Sequence, residues 1–127
     1  MLESSDVVAF VGTTDLPRAR EFYERKLGLP VTGRSDFACV FDAGGTMLRV
    51  TAVARVAAGG YTVLGWRVTD IKAAVRDLEA RGVVFNQYDG MEHDEHGVWT
   101  TPGGDQVAWF SDPDGNTLSI TQFAPGG

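Results

Sequence analysis

Two stretches of this chain follow one pattern, and that duplication constrains the fold more than any other feature. In "VVAFVGTTDLPRAREFYERKLGLPV", Val7 to Val31, the β-branched and apolar run Val7–Val11 predicts a strand. Thr13, Thr14 and Asp15 supply helix caps, and Pro17 suits a first turn, where its missing N–H would have had no intrahelical partner. Ala19, Phe22, Tyr23 and Leu27 recur at helical spacing, and Gly28 is placed to end the helix. "YTVLGWRVTDIKAAVRDLEARGVVF" repeats this order. It has a strand over Thr62–Val68, Asp70 as cap, a stripe of Ile71, Ala74, Val75 and Leu78, and Gly82 as stop. The capping aspartates lie 55 positions apart and the stop glycines 54. Short strands follow each helix, in "FACVFDAGGTMLRVTAV" and "DQVAWFSDPDGNTLSITQF". The prediction is an α+β fold of two βαβββ modules in tandem, each a curved mixed sheet with a helix on its outer face.

A length of 127 residues suits one domain, with modules over about 1–55 and 61–127 and a short linker around Val56–Gly60. One helix covers only one face of a small sheet, so the other face of each must meet something. The main asymmetry is a longer connection in the second half, Asn86–Gly104, which holds both histidines and Trp99.

The formal net charge of −6 argues against a nucleic-acid surface, which needs a basic patch. No apolar run approaches the roughly 20 residues that cross a bilayer, so no membrane partner is expected. "MLESSDVV" lacks the basic start and apolar core of a secretion signal, and a cytoplasmic location is the default expectation. Cys39, the single cysteine, excludes an internal disulfide. Set among apolar neighbours in "FACVF", it reads as a buried, unreactive thiol.

In "FSDPDGNTLSITQF", Asp112, Pro113, Asp114 and Gly115 suit the four positions of a type I turn. Strict alternation follows. Leu118 and Ile120 point one way, and Thr117, Ser119 and Thr121 the other.

With "DLPRAREFYERKLGLPV", "VTDIKAAVRDLEARGV" and "FSDPDGNTLSITQ" in order, the chain resembles the vicinal oxygen chelate superfamily of glyoxalases, bleomycin-resistance proteins and extradiol dioxygenases. The resemblance covers nearly the whole chain and speaks to fold more than to reaction. It implies sheets rolled into a cup and, often, a homodimer. In the family's enzymes, His or Glu at four places holds a divalent metal; the matching places here are Val8, Arg49, Val63 and Ser119. Two valines offer no lone pair, a guanidinium is a fixed cation, and a lone serine hydroxyl is a weak ligand. No metal and no cofactor is therefore expected, and the metal-dependent glyoxalase or dioxygenase activities do not fit.

By the same register, Val8, Phe10, Met47, Arg49, Thr51, Val63, Gly65 and Arg67 face the cup, with Thr117, Ser119 and Thr121. Trp66 goes to the helix side, and analogy within the family turns Trp109 inward. The predicted ligand-binding residues are Phe10, Arg49, Arg67, Trp99, Trp109, Ser119 and Thr121: apolar walls with a few placed polar groups. Each has a plainer alternative. Trp109 can be core, Arg49 can form a solvated ion pair or bridge subunits, and the hydroxyl row can be a wet sheet face. In "MEHDEHGVW", Trp99 is expected as a lid, Glu92, Asp94 and Glu95 as attractors of a cation, and His93 or His96 as an acid or base. The reading is a metal-independent protein that binds a small aromatic or cationic molecule, of the antibiotic- or metabolite-sequestering type. The alternative is a metal-independent lyase or isomerase that uses Arg49 with a loop histidine or acid.

Overall fold

Alternation in the last strand of each module decides which side of each sheet is dry. In the computed structural model, which describes residues 1–57 and 59–126, Leu48 and Val50 are fully buried, as is Leu118, with Ile120 nearly so. Ala58, in the predicted linker, and Gly127, at the end of the second module, lie outside the described residues. The chain divides into two compact units, Met1–Ala57 and Ala58–Gly127.

The first unit runs β1 (Val8–Thr13), α1 (Leu16–Arg20) continuing as a π-helical segment (Glu21–Lys26), β2 (Val31–Arg34), β3 (Ala38–Ala43) and β4 (Thr46–Ala52). Its strand order is β1-β4-β3-β2, with β1 and β4 parallel and the other pairs antiparallel. The Asp15 carboxylate accepts the Arg18 N–H at 3.1 Å and so caps α1. Tyr23 is wholly buried, edge-on to Phe22 at 5.2 Å and 5.8 Å from Phe41. The sequence spacing predicts a plain α-helix here, but its second half is wider. The Leu27 N–H reaches the Phe22 carbonyl, five residues back, at 3.1 Å. Gly28 then turns the chain at φ 74°, a backbone that a Cβ disfavours.

The second unit runs β5 (Thr62–Arg67), α2 (Ile71–Ala80), β6 (Trp99–Thr100), β7 (Gln106–Ser111) and β8 (Thr117–Gln122), in the order β5-β8-β7-β6. Asp70 caps α2 through the Ala73 N–H at 3.1 Å, and the Gln122 side chain accepts the Ile71 N–H at 2.9 Å. That second bond fixes the helix start to the end of β8. Ile71 and Val75 bury against the side of the sheet that carries Ala108, Phe110, Leu118 and Ile120. The β7–β8 turn closes with the Gly115 N–H on the Asp112 carbonyl at 3.0 Å. The buried Asp112 carboxylate accepts the N–H groups of Asp114 and Asn116 and the Asn116 amide. Burial of a carboxylate is tolerable because donors surround it.

The architecture is thus α+β: two tandem modules, each a four-stranded mixed sheet with its helix on one face. Two details depart from simple alternation. The second strand of the second unit, at the edge of its sheet, is only Trp99–Thr100, and β5 carries a bulge, with Thr62 opposite Thr117 but Leu64 opposite Leu118. Among the described residues, no helix is long and apolar enough to cross a membrane.

Candidate ligand site on the second sheet

Residues directly opposite one another on paired strands share a face. On β6, β7, β8 and β5 one such row is Trp99, Val107, Thr121 and Arg67; the next is Trp109, Ser119 and Gly65. A third is Ser111, Thr117 and Thr62, brought into line by the bulge at Val63. The face away from α2 therefore carries Trp99, Trp109, Ser119, Thr121 and Arg67 together; parity places Ser119, Thr121 and Arg67 there, and family analogy turns Trp109 the same way.

Within this face the aromatic groups cluster. Trp99 and Trp109 stack with centroids 6.0 Å apart at 28°, and Tyr88 meets Trp109 edge-on at 5.8 Å and 83°. The Trp109 indole N–H donates to the Thr62 hydroxyl at 3.1 Å, which fixes the ring's orientation. Tyr61, Thr62, Tyr88, Met91, Trp99 and Trp109 help to enclose a cavity of about 370 Å³. A larger groove of about 910 Å³ adjoins it through Met91 and Trp99 and is lined by Lys72, Glu92 and Asp94. One cavity is aromatic, and its neighbour carries two carboxylates, an amine and the His93 imidazole.

The connection that supplies Tyr88 and Met91 is held by its own side chains. His93 Nε2 accepts the Tyr88 N–H at 3.1 Å, and His93 Nδ1 donates to the Gly97 carbonyl at 3.1 Å. A backbone donor on one nitrogen and a carbonyl on the other require the neutral Nδ1–H tautomer. One Asp94 oxygen accepts the N–H groups of His96 (2.8 Å) and Val98 (2.9 Å), and Gly97 turns at φ 86°. These contacts correct the expected lid. Trp99 belongs to β6, opposite Val107 on β7, because the turn before it delivers it to a free sheet edge. His93 is a backbone clamp. His96 turns toward α2, 3.3 Å from the Glu79 carboxylate and 3.6 Å from that of Glu95. Among the described residues, neither histidine lines the aromatic cavity.

The remaining predicted residues are more dispersed. Ser119 shares the face but is only 7% exposed, with its hydroxyl lying over Gly65. A Cβ on Gly65 would come within 2.7 Å of that oxygen. Thr121 is half-buried beside Arg67, whose guanidinium stacks over the Phe123 ring at 4.8 Å. Phe10 and Arg49 belong to the first unit, opposite each other on β1 and β4; Phe10 is 64% exposed. Sequence reasoning missed Tyr61, Thr62, Tyr88 and Met91. Thr62 is hidden by the bulge. Tyr88 and Met91 lie in a connection without periodicity, where an aromatic amid polar residues ("FNQYDG") was the one signal available.

The four places that the resemblance matches to the family's metal ligands are Val8 and Arg49 in the first unit and Val63 and Ser119 in the second. That donor set does not fit a divalent ion: it has no imidazole, no carboxylate and one fixed positive charge. Among the described residues, no three His, Cys, Asp or Glu side chains gather into a possible metal site.

Comparison with known proteins agrees with this architecture. The profile of the Glyoxalase/Bleomycin resistance protein/Dioxygenase superfamily matches residues 6–120. None of the curated proteins matches the chain significantly. A glyoxalase family protein from Enterococcus faecalis superposes with a TM-score of 0.73 at 18% identity, over 96% of this chain and 100% of that one. A bleomycin-binding protein in complex with bleomycin gives 0.72 at 20% identity, over 95% and 100%. A glyoxalase/bleomycin resistance protein/dioxygenase from Alicyclobacillus acidocaldarius gives 0.72 at 20% identity, over 94% and 92%. At such identities the structures speak to the fold, and the profile match speaks to descent: the chain belongs to the glyoxalase/bleomycin resistance protein/dioxygenase superfamily.

Proposed function

We propose that this protein is a metal-independent binder that sequesters a small aromatic or cationic molecule on the open face of its second sheet. The observation that carries this reading is the stacked Trp99–Trp109 pair with Tyr88 at its edge, on a concave surface. Large rings left partly open forgo favourable burial, and a planar ligand laid over them restores it. Glu92 and Asp94 in the adjoining groove favour a ligand with a positive charge. The bleomycin-binding neighbour supports sequestration as a use of this fold. Arg67, Ser119 and Thr121 are proposed as flanking polar contacts.

Phe10 and Arg49 are proposed as a further ligand-contacting pair on the first sheet. Exposed Val8, Phe10 and Met47 on that sheet support the expected homodimer, which light scattering coupled to size exclusion tests directly. The alternative, a metal-independent lyase or isomerase, draws on Arg49, which has no ion pair among the described residues. The clamping role of His93 and the outward turn of His96 weigh against it.

A thermal-shift titration with a planar aromatic cation such as acriflavine tests the binding reading. The wild type is expected to gain stability by mass action, and Trp109→Ala to lose about 1–3 kcal/mol of binding, the range for aromatic stacking. Glu92→Gln should weaken binding at low salt and matter less at high salt. A Trp109→Ala protein that binds as tightly as the wild type removes the proposal.

A further inference from the structure

A second pocket lies in the first unit, on the helix-covered side of its sheet. It has a volume of about 230 Å³ and is lined by Leu16, Pro17, Arg20, Arg34, Ser35 and Cys39, among others. The register explains how these residues meet. Arg34 on β2 is directly opposite Cys39 on β3, so both side chains take the same face. Cys39 in turn is opposite Val50, which is fully buried beneath the helix. Arg20, the last residue of α1, reaches the same pocket from the helix.

The charges are unbalanced. Arg20 shares Glu24 at 3.2 Å, whereas Arg34 has no ion pair among the described residues. Burial pushes the Cys39 thiol up in pKa; Arg20 pulls it down and its partner Glu24 pushes it up, while Arg34 pulls it down with no such partner. Ser35 Oγ accepts the N–H groups of Phe37 (3.1 Å) and Ala38 (3.3 Å). Its oxygen is thereby fixed, and its own hydrogen remains available to donate. Leu16 and Pro17 form an apolar wall beside these polar groups.

We propose that this pocket binds a small organic monocarboxylate. Its two oxygens bridge the guanidinium groups of Arg34 and Arg20, and its short apolar tail lies against Leu16, Pro17 and the Cys39 thiol. Planar guanidinium groups match a carboxylate's fork geometry. One uncompensated positive charge suits a single negative one, and the apolar wall offers nothing to a bare inorganic oxoanion.

Butyrate titrated into full-length protein, followed by backbone amide NMR, tests the assignment, with inorganic phosphate at equal ionic strength as comparison. Saturable shifts centred on Ser35–Cys39 are expected, with affinity falling by about tenfold or more in Arg34→Gln, as befits loss of a charged hydrogen-bond partner. Arg34 is exposed, so that variant keeps the fold. A measurement on the unaltered protein stands beside it: butyrate should slow alkylation of Cys39 by iodoacetamide at fixed pH. No saturable shift, an Arg34→Gln affinity equal to wild type, or phosphate binding as tightly as butyrate overturns the proposal.

Discussion

Across three strands of the first sheet runs the row Phe10, Arg49, Val40; in the second sheet the matching row is Gly65, Ser119, Trp109. Strand order and pairing sense are the same in both, yet the bulk has moved from the first strand to the third. In the second unit, Gly65 and the small Ser119 leave the centre of the face low, and Trp109 rises at its side against Trp99. In the first unit, Phe10 stands over the first strand and Arg49 sits at the centre. The connections differ in the same sense. From α1 the chain reaches β2 directly, whereas from α2 it runs through Tyr88, Met91 and the His93 clamp before β6. Duplication accounts for the scaffold. The proposed recognition surface arises where the second copy departs from the first, at one bulge, one glycine and one long connection.

The largest effect that can break this comparison concerns packing. Phe110→Ala, at a fully buried site touching Phe85 at 5.5 Å, should cost about 3–5 kcal/mol in urea unfolding. Phe10→Ala, measured at concentrations where the protein is monomeric, should change stability by no more than about 0.5 kcal/mol, the usual range for surface substitutions. Equal losses would mean that the two faces are not different in kind.

Next comes the low centre of the second sheet. Gly65→Ala drives a methyl group toward Ser119 Oγ and should cost about 1–3 kcal/mol, as overpacking does. Adding Ser119→Ala should recover most of that loss in the same unfolding assay. Gly12→Ala, whose Cβ would meet a Val53 methyl at 3.2 Å, should cost less.

The capping aspartates sharpen the other side of the comparison. Both accept a backbone N–H at 3.1 Å, so Asp15→Ala and Asp70→Ala should each cost about 1 kcal/mol and differ little. The smallest effect is pH-dependent and belongs to the first unit. Burial raises the Cys39 pKa, so the folded chain keeps its thiol proton where the unfolded chain loses it. The resulting stability is fully present below the ordinary thiol range and is lost as pH rises through the raised folded value. The stability difference between wild type and Cys39→Ala should therefore shrink at alkaline pH, and a difference that grows would contradict the assigned shift.

Much of the scaffold was legible because its signals are local and repeated. Leu48/Val50 and Leu118/Ile120 fix register, since a slip of one residue would expose all four. Asp15, Gly28, Asp70 and Gly82 mark helix ends with their own chemistry. The π-helical turn at Phe22–Leu27 was not legible, because four- and five-residue hydrogen bonding leave nearly the same apolar spacing. Among candidate site residues, the face that Ser119 takes followed from alternation, and that of Trp109 from the resemblance to the family. Thr62 did not, because a bulge breaks the count that would have placed it. Trp99 was found for a different reason from the one expected: it pairs into the sheet instead of hanging over it. Tyr88 and Met91 depend on bonds from His93 and Asp94 to distant backbone groups, which periodicity does not encode.

The most direct test of a metal-independent aromatic site is calorimetric titration of the planar aromatic cation into protein dialysed against a strong chelator. The account predicts one affinity before and after chelation, weakened by about 1–3 kcal/mol in Trp109→Ala and kept in Trp66→Phe, whose ring lies on the other face. Binding that disappears on chelation and returns with zinc, nickel or manganese would contradict it.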